Sequence, residues 1–187
     1  LLGRVLDACL ASDLDEVVLV LGHEARRIAA SVEGLRSRTR LRIVVNPRYA
    51  EGMSSSLIAG LSAVEDACER VMVLLGDMPC VTPDVIDRLR LEAAASGCAL
   101  GAVSAGGKRA HPVVIGRRYY DAVLALTGDR GARDLFRDHP EDLCLVEAGE
   151  GYRPLDIDTP EEFERFRRSE EPGPARSRSR GPGGRDA

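Results

Sequence analysis

Asp77 stands where an apolar run stops. In VMVLLGDMPCVTPDVI, residues 71–86, five apolar residues lead into Gly76-Asp77, and Pro79 and Pro83 follow. A carboxylate at the end of a buried strand is a hard-oxygen ligand suited to Mg²⁺. It is also a common turn residue. A second acidic cluster, Asp156 and Asp158 in PLDIDTP, precedes the last predicted helix. If LDID is a strand, alternation puts both aspartates on one side and Ile157 opposite. Asp77 and Asp158 together suit one Mg²⁺ that bridges phosphate oxygens during phosphoryl or nucleotidyl transfer. Read singly, they are a turn acid and a helix-cap acid. Both readings stand at this point, although Asp77 lies several residues before Thr82, the natural cap of the next helix.

Three further stretches carry polar groups suited to a ligand. In NPRYAEGMSSSLIAGL, residues 46–61, a strand ends at Asn46-Pro47, Gly52 permits a sharp turn, and Ser54, Ser55 and Ser56 open a helix. Asn46, the serine hydroxyls and the free N–H groups of the first turn are candidates to hold a ribose, a base edge or a phosphate. One cap needs one serine, so three in a row point beyond capping. In GGKRAHPVVIG, residues 106–116, Lys108 and Arg109 sit in a glycine-containing loop before a strand, placed to meet an anion, with His111 at the strand start. In LTGDRGARDLF, Asp129, Arg130 and Arg133 surround two glycines at a helix start. They form a substrate clamp or a capped turn with solvated arginines.

The elements that must position these residues alternate. LLGRVLDACLAS reads as a helix, DEVVLVLG as a strand, HEARRIAASVEGL as a helix and LRIVVNP as a strand. A helix from Ser54, the strand VMVLLGD and the helix TPDVIDRLRLEAAASG follow, the last with Thr82 as N-cap and Pro83 at its first position. CALGAVSA and HPVVIG are strand-like, YYDAVLALTG and ARDLFRDHP helical, LCLVEA and YRPLDID short strands, and TPEEFERFRR a helix. This order predicts an α/β fold, a Rossmann-like three-layer sandwich around a mainly parallel central sheet. Ligands in such sheets bind outside the carboxyl ends of the strands, where Asp77 falls.

The 187 residues suit one domain. Aromatic residues are 4% with no tryptophan, so aliphatic side chains must build the core. A net charge of −4 argues against nucleic-acid capture, and no apolar stretch is long enough for a membrane span. Five cysteines with no CxxC pair fit a reducing, cytoplasmic compartment. No P-loop, strand-linked GxGxxG or GxSxG elbow is present. The tail from residue 169, rich in Gly, Pro, Ser and Arg, is expected to be disordered.

NPRYAEGMSSSLIAGL, VLLGDMPCVTPDVI, KRAHPVVIG, TGDRGARDL and PLDIDTPEE occur in an order that resembles the MobA-like nucleotidyltransferases, over about residues 1–168. The molybdenum cofactor cytidylyltransferase branch is the most similar. The resemblance implies Mg²⁺-dependent transfer of CMP from CTP to the phosphate of molybdenum-bearing molybdopterin, with release of pyrophosphate. It implies Asp77 and Asp158 as metal ligands and the Ser54–Ser56 turn beside the nucleoside. The segments around His111 and at 128–133 would line the acceptor side. A molybdoenzyme maturation factor or a xanthine-dehydrogenase-type enzyme is the implied protein partner. The family signature LAAGxSxRxGxxK has no counterpart here, so the chain is expected to be an N-terminally truncated fragment, with a degenerate member as the alternative. A related transferase with another nucleotide, such as guanylyl transfer, and an inactive nucleotide-binding remnant are the rival functions.

Overall fold

The computed structural model describes residues 1–35, 40–149 and 152–170. The chain divides into two compact units, Leu1–Asp156 and Ile157–Ala187.

In the first unit, α1 (Leu2–Ala11) turns an apolar face inward, burying Val5, Leu6, Cys9 and Leu10. β1 (Val17–Leu21), α2 (Ala25–Ser31) and β2 (Leu41–Val45) follow, and β1 and β2 pair in parallel, Val17 opposite Leu41. α3 (Met53–Ser62) packs on β1: a Cβ at Gly60 would lie 3.0 Å from Val20 Cγ2, so this glycine serves close packing. β3 (Arg70–Val73), α4 (Pro83–Ala95), β4 (Leu100–Ala105), β5 (Lys108–Gly116), α5 (Tyr120–Leu124), α6 (Arg133–Asp138) and β6 (Leu143–Glu147) complete the unit.

The α/β class holds, with the strands in two hydrogen-bonded sets. β1–β2 is parallel, while β3-β5-β4-β6 is mixed: β5 runs antiparallel to β3 and β4, and β4 parallel to β6. The side chains around α1 draw on both sets. Val5, Leu6, Cys9 and Leu10 share a cluster with Val17 and Leu19 of β1, Met72 of β3 and Ile86 of α4. The five cysteines are all free thiols. Burial raises the Cys9 thiol pKa to about 11, so it acts as a core hydrophobe.

Several elements differ from the sequence expectation. The strand expected over 71–77 pairs only as far as Val73. The cause lies in β5. Gly116 donates its N–H to Ala99 O of the segment entering β4, and Arg117 donates to Glu69 O beside β3. Even-numbered residues of β5 therefore donate towards β4. Pro112 is even-numbered and has no N–H to give. At that point the β4–β5 register jumps from Ala102↔Val113 to Val103↔Ala110, leaving His111 and Pro112 as a bulge. The bulge interrupts the ladder, and β3 pairing stops there. Lys108 and Arg109, expected in a loop, are the first residues of β5, opposite Ala105 and Ser104 across a Gly106-Gly107 turn with φ of 58° and 74°. YRPLDID is not a strand. Pro154 lacks a donor, and Leu155 N–H is spent locally on Arg153 O, 2.8 Å away. Alternation therefore does not set the sides of Asp156 and Asp158.

In the second unit, α7 spans Pro160–Glu170. The expected disordered tail lies outside the described residues from 171 onward. Among the described residues no helix is long and apolar enough to cross a membrane.

Burial ranks the helix positions. Leu89 of α4 is 0% exposed and Leu91 is 56% exposed. Leu89→Ala is expected to lower unfolding free energy by about 2–5 kcal/mol, and Leu91→Ala by less than about 0.5 kcal/mol. Urea unfolding followed by circular dichroism checks both.

Candidate functional site

After β3, residues 74–78 carry the chain into a turn at Gly76-Asp77. The α4 cap is Thr82, whose Oγ1 accepts from Val85 N–H at 3.4 Å, with Pro83 at the first helical position. Asp77 has no capping task. Its Oδ1 is buried and has no hydrogen-bond partner. A buried carboxyl oxygen held this way is costly unless something binds it, so the residue fits a cation ligand. Among the described residues no group of three or more His, Cys, Asp or Glu gathers for a metal. Mg²⁺ is commonly held by one or two carboxylates, with water and phosphate completing its shell.

The β5 bulge brings His111 beside this aspartate. Its Nδ1 lies 3.5 Å from Val73 O, and Tyr152 Oη donates to His111 O. A narrow apolar crevice lined by Leu75, Met78, Val81, Pro112 and Tyr152 backs the group. Burial is the main influence on the His111 imidazole and lowers its pKa. The Val73 carbonyl and the Asp156 and Asp77 carboxylates act in the opposite direction, while Arg109 adds to the lowering. Farther along the β5 start, Arg109 lies over the Phe136 ring, 5.1 Å from Cζ to centroid, and its Nη2 donates to Arg133 O at 3.4 Å. Burial and the Arg133 charge lower the Arg109 pKa. Lys108 is exposed.

Asn46 and the serines form a connected polar network. Asn46 is 3% exposed, and its Nδ2 donates to Ser55 Oγ at 2.9 Å and Ser56 Oγ at 3.1 Å. Its Oδ1 accepts from Arg48 N–H. The α3 first turn differs from the expectation of free donors. Ser54 donates both N–H and Oγ to Gly128 O, at 3.1 and 2.7 Å. Met53 N–H donates to Asp129 Oδ1 at 3.4 Å, and Ser55 N–H to Gly52 O at 3.2 Å. The 128–129 turn thus docks on the helix end, and Gly52 makes the approach feasible. Its φ is 110°, and a Cβ there would lie 2.4 Å from Gly128 C.

Asp158, in the second unit, is exposed. Thr159 Oγ1 accepts from Glu162 N–H at 3.2 Å, while Glu162 Oε2 accepts from the N–H groups of Asp158 and Thr159, both at 3.0 Å. This is a capping box. Those donors lower the Glu162 pKa. Capping belongs to Thr159 and Glu162, and the Asp158 carboxylate takes no part in it.

The first unit therefore connects Asp77, His111, Arg109 and Arg133 in one series, and Asn46, Ser54–Ser56 and Asp129 in another. Sequence reasoning missed Tyr152, which no local pattern marks. It also missed Gly22-His23, although the pair directly follows the apolar run of β1, at a strand carboxyl end.

Residues 1–143 match the MobA-like NTP transferase domain family. The chain is 30% identical over 166 residues to nicotine blue oxidoreductase of Paenarthrobacter nicotinovorans, covering 86% of this chain and 79% of that protein. In fold it is similar to a nucleotidyl transferase from Methanothermobacter thermautotroptrophicus, with TM-score 0.75 and 23% identity, covering 90% of this chain and 79% of the other. It is likewise similar to Rv0371c of Mycobacterium tuberculosis H37Rv in complex with manganese, with TM-score 0.66 and 24% identity, covering 88% and 84%.

Two outcomes follow from the geometry. Gly52→Ala is expected to cost more than about 1 kcal/mol, because φ and clearance both oppose it. Gly3→Ala, in α1 with nothing within 4 Å of the added Cβ, is expected to stabilise by up to about 1 kcal/mol. Melting curves compare them. His111 binds a proton more readily when unfolded, so its contribution is fully present above the unfolded pKa. It declines as pH falls through about 6.5 towards the lower folded value. Denaturant titrations at about pH 7.5 and about pH 5.5 should show this loss, and His111→Asn should lessen it.

Proposed function

Because the chain belongs to the MobA-like NTP transferase domain family, we propose that it transfers CMP from CTP to the phosphate of molybdenum-bearing molybdopterin in the cytoplasm, releasing pyrophosphate. The observation that carries this is the buried, unpaired Oδ1 of Asp77 at a strand carboxyl end. Asp77 holds Mg²⁺ in this reading. The bound ion would offset negative charge on the triphosphate.

The acceptor phosphate is already anionic and needs no strong base. One of its oxygens bonds to the α-phosphorus of CTP. The bond from that phosphorus to the bridging oxygen breaks in line, and pyrophosphate leaves with the electron pair. Arg109 and Arg133, two cationic side chains close enough to repel, supply positive charge for the acceptor side. His111 is biased to its neutral form by burial and can orient the acceptor by hydrogen bonding. Asn46 and Ser54–Ser56 lie beside the nucleoside. A molybdoenzyme of the xanthine-dehydrogenase type, or its maturation factor, would receive the product.

A second reading is oxidoreductase activity, favoured by the 30% identity to nicotine blue oxidoreductase over most of both chains. Pyrophosphate release is measured with CTP, GTP and ATP, each with the molybdopterin acceptor and Mg²⁺, beside oxidation of a reduced nicotinamide cofactor with nicotine blue as the electron acceptor. The cytidylyl reading predicts CTP-dependent release, with Asp77→Asn at least about a hundredfold slower. Equal turnover in Asp77→Asn removes that residue from the mechanism. Nicotinamide oxidation without pyrophosphate release favours the second reading, and nucleotide binding without turnover an inactive remnant.

A further inference from the structure

At the carboxyl ends of β1 and β2 an aromatic pair stands open to solvent. His23 is exposed, Tyr49 is 44% exposed, and their ring centroids lie 5.8 Å apart at an interplanar angle of 58°. His23 Nδ1 is 3.4 Å from Tyr49 Oη. The local backbone is shaped around this pair. A Cβ at Gly22 would lie 2.5 Å from Tyr49 Cβ, so only glycine lets the tyrosine sit this close to the end of β1. Glu24, the next residue after His23, takes φ of 50°, an uncommon conformation for a side-chain-bearing residue.

Further exposed apolar residues occur along the β2–α3 connection. Val45, Tyr49 and Met53 are 59%, 44% and 57% exposed, three of the seven large hydrophobics left exposed among the described residues. They fall within nine residues of one another, where β2 ends and α3 begins. The Asn46–Ser55–Ser56 network occupies the same connection and supplies polar atoms. An exposed aromatic face beside fixed polar groups is a surface on which a planar heterocycle stacks. Neither the metal carboxylate nor the Arg109–Arg133 pair accounts for these residues.

We propose that Tyr49, with His23, binds a planar nitrogen-heteroaromatic ring of a substrate by stacking. The nucleobase and the pterin share that chemistry. The inference rests on the transferase reading for where such rings come from. Tyr49 offers a π-face that stays accessible, and the contact to His23 limits its rotation. Tyr49 and His23 are binding residues here and move no proton.

The test is equilibrium binding to the full chain of three kinds of probe: CTP, GTP and ATP with Mg²⁺; 6-hydroxymethylpterin phosphate; and inorganic tripolyphosphate, which has no ring. Tyr49→Ala should weaken one heterocyclic class about tenfold, the scale of a lost base–aromatic stack. Tyr49→Phe, which keeps the ring, should restore it, and tripolyphosphate affinity should not change. Weakening confined to the nucleotides assigns the base, and weakening confined to the pterin assigns the acceptor. The proposal is overturned if Tyr49→Ala leaves every heterocycle unaffected or weakens tripolyphosphate equally. Wild-type protein that binds neither heterocycle also overturns it. Tyr49-dependent binding without pyrophosphate release keeps this site and removes the transferase reading. Normal turnover with Tyr49-independent affinities does the reverse.

Discussion

A carboxylate oxygen with nothing to bind is the constraint around which the first unit is arranged. Asp77 Oδ1 is buried without a hydrogen-bond partner. Leaving such a group unpaired costs about 1–3 kcal/mol or more, against a net stability of only about 5–15 kcal/mol for an ordinary domain. The fold holds it there from several sides. α1 and α4 bury their apolar faces in one cluster with β1 and β3, and Thr82 fixes the start of α4 without help from Asp77. Local rules are commonly broken at functional sites and compensated elsewhere. Asp77 is such a break.

The missing donor of Pro112 organises the other half of this neighbourhood. The ladder between β4 and β5 skips there, and the bulge sets His111 beside Val73, Asp77 and Asp156. Beyond the bulge β5 resumes pairing and carries Arg109 to Phe136 and Arg133. The 128–129 turn, a few residues before Arg133, closes the α3 end through Gly52, Ser54 and Met53. The start of α3 and the turn leading to Arg133 are thus joined by hydrogen bonds.

The helices and most strands were legible because apolar periodicity and end signals agreed. Thr82-Pro83 marked the start of α4, and VVLVL and LRIVV marked a parallel pair. The errors have physical sources. Periodicity sees apolar residues but not ladder partners, so it ran β3 on through residue 77 although pairing with β5 ends at Val73. It ran a loop from Gly106-Gly107 on through Lys108 and Arg109 when the glycine pair is the whole turn. In YRPLDID it counted alternation and overlooked Pro154 and the local bond of Leu155. At the site, residue type picked out Asp77 and His111, but the docking of Gly128 on Ser54 joins positions 74 apart, and no local pattern encodes it. Tyr49 was passed over because a single tyrosine carries no motif. Its meaning comes from the clearance at Gly22.

The central claim is that Asp77 binds a divalent cation, and Mn²⁺ affinity measured by electron paramagnetic resonance, with and without CTP, tests it most directly. The account predicts Mn²⁺ binding to the wild-type chain that tightens with CTP and weakens at least about tenfold in Asp77→Asn, with the fold intact by circular dichroism. Equal Mn²⁺ affinity in the folded variant would contradict it.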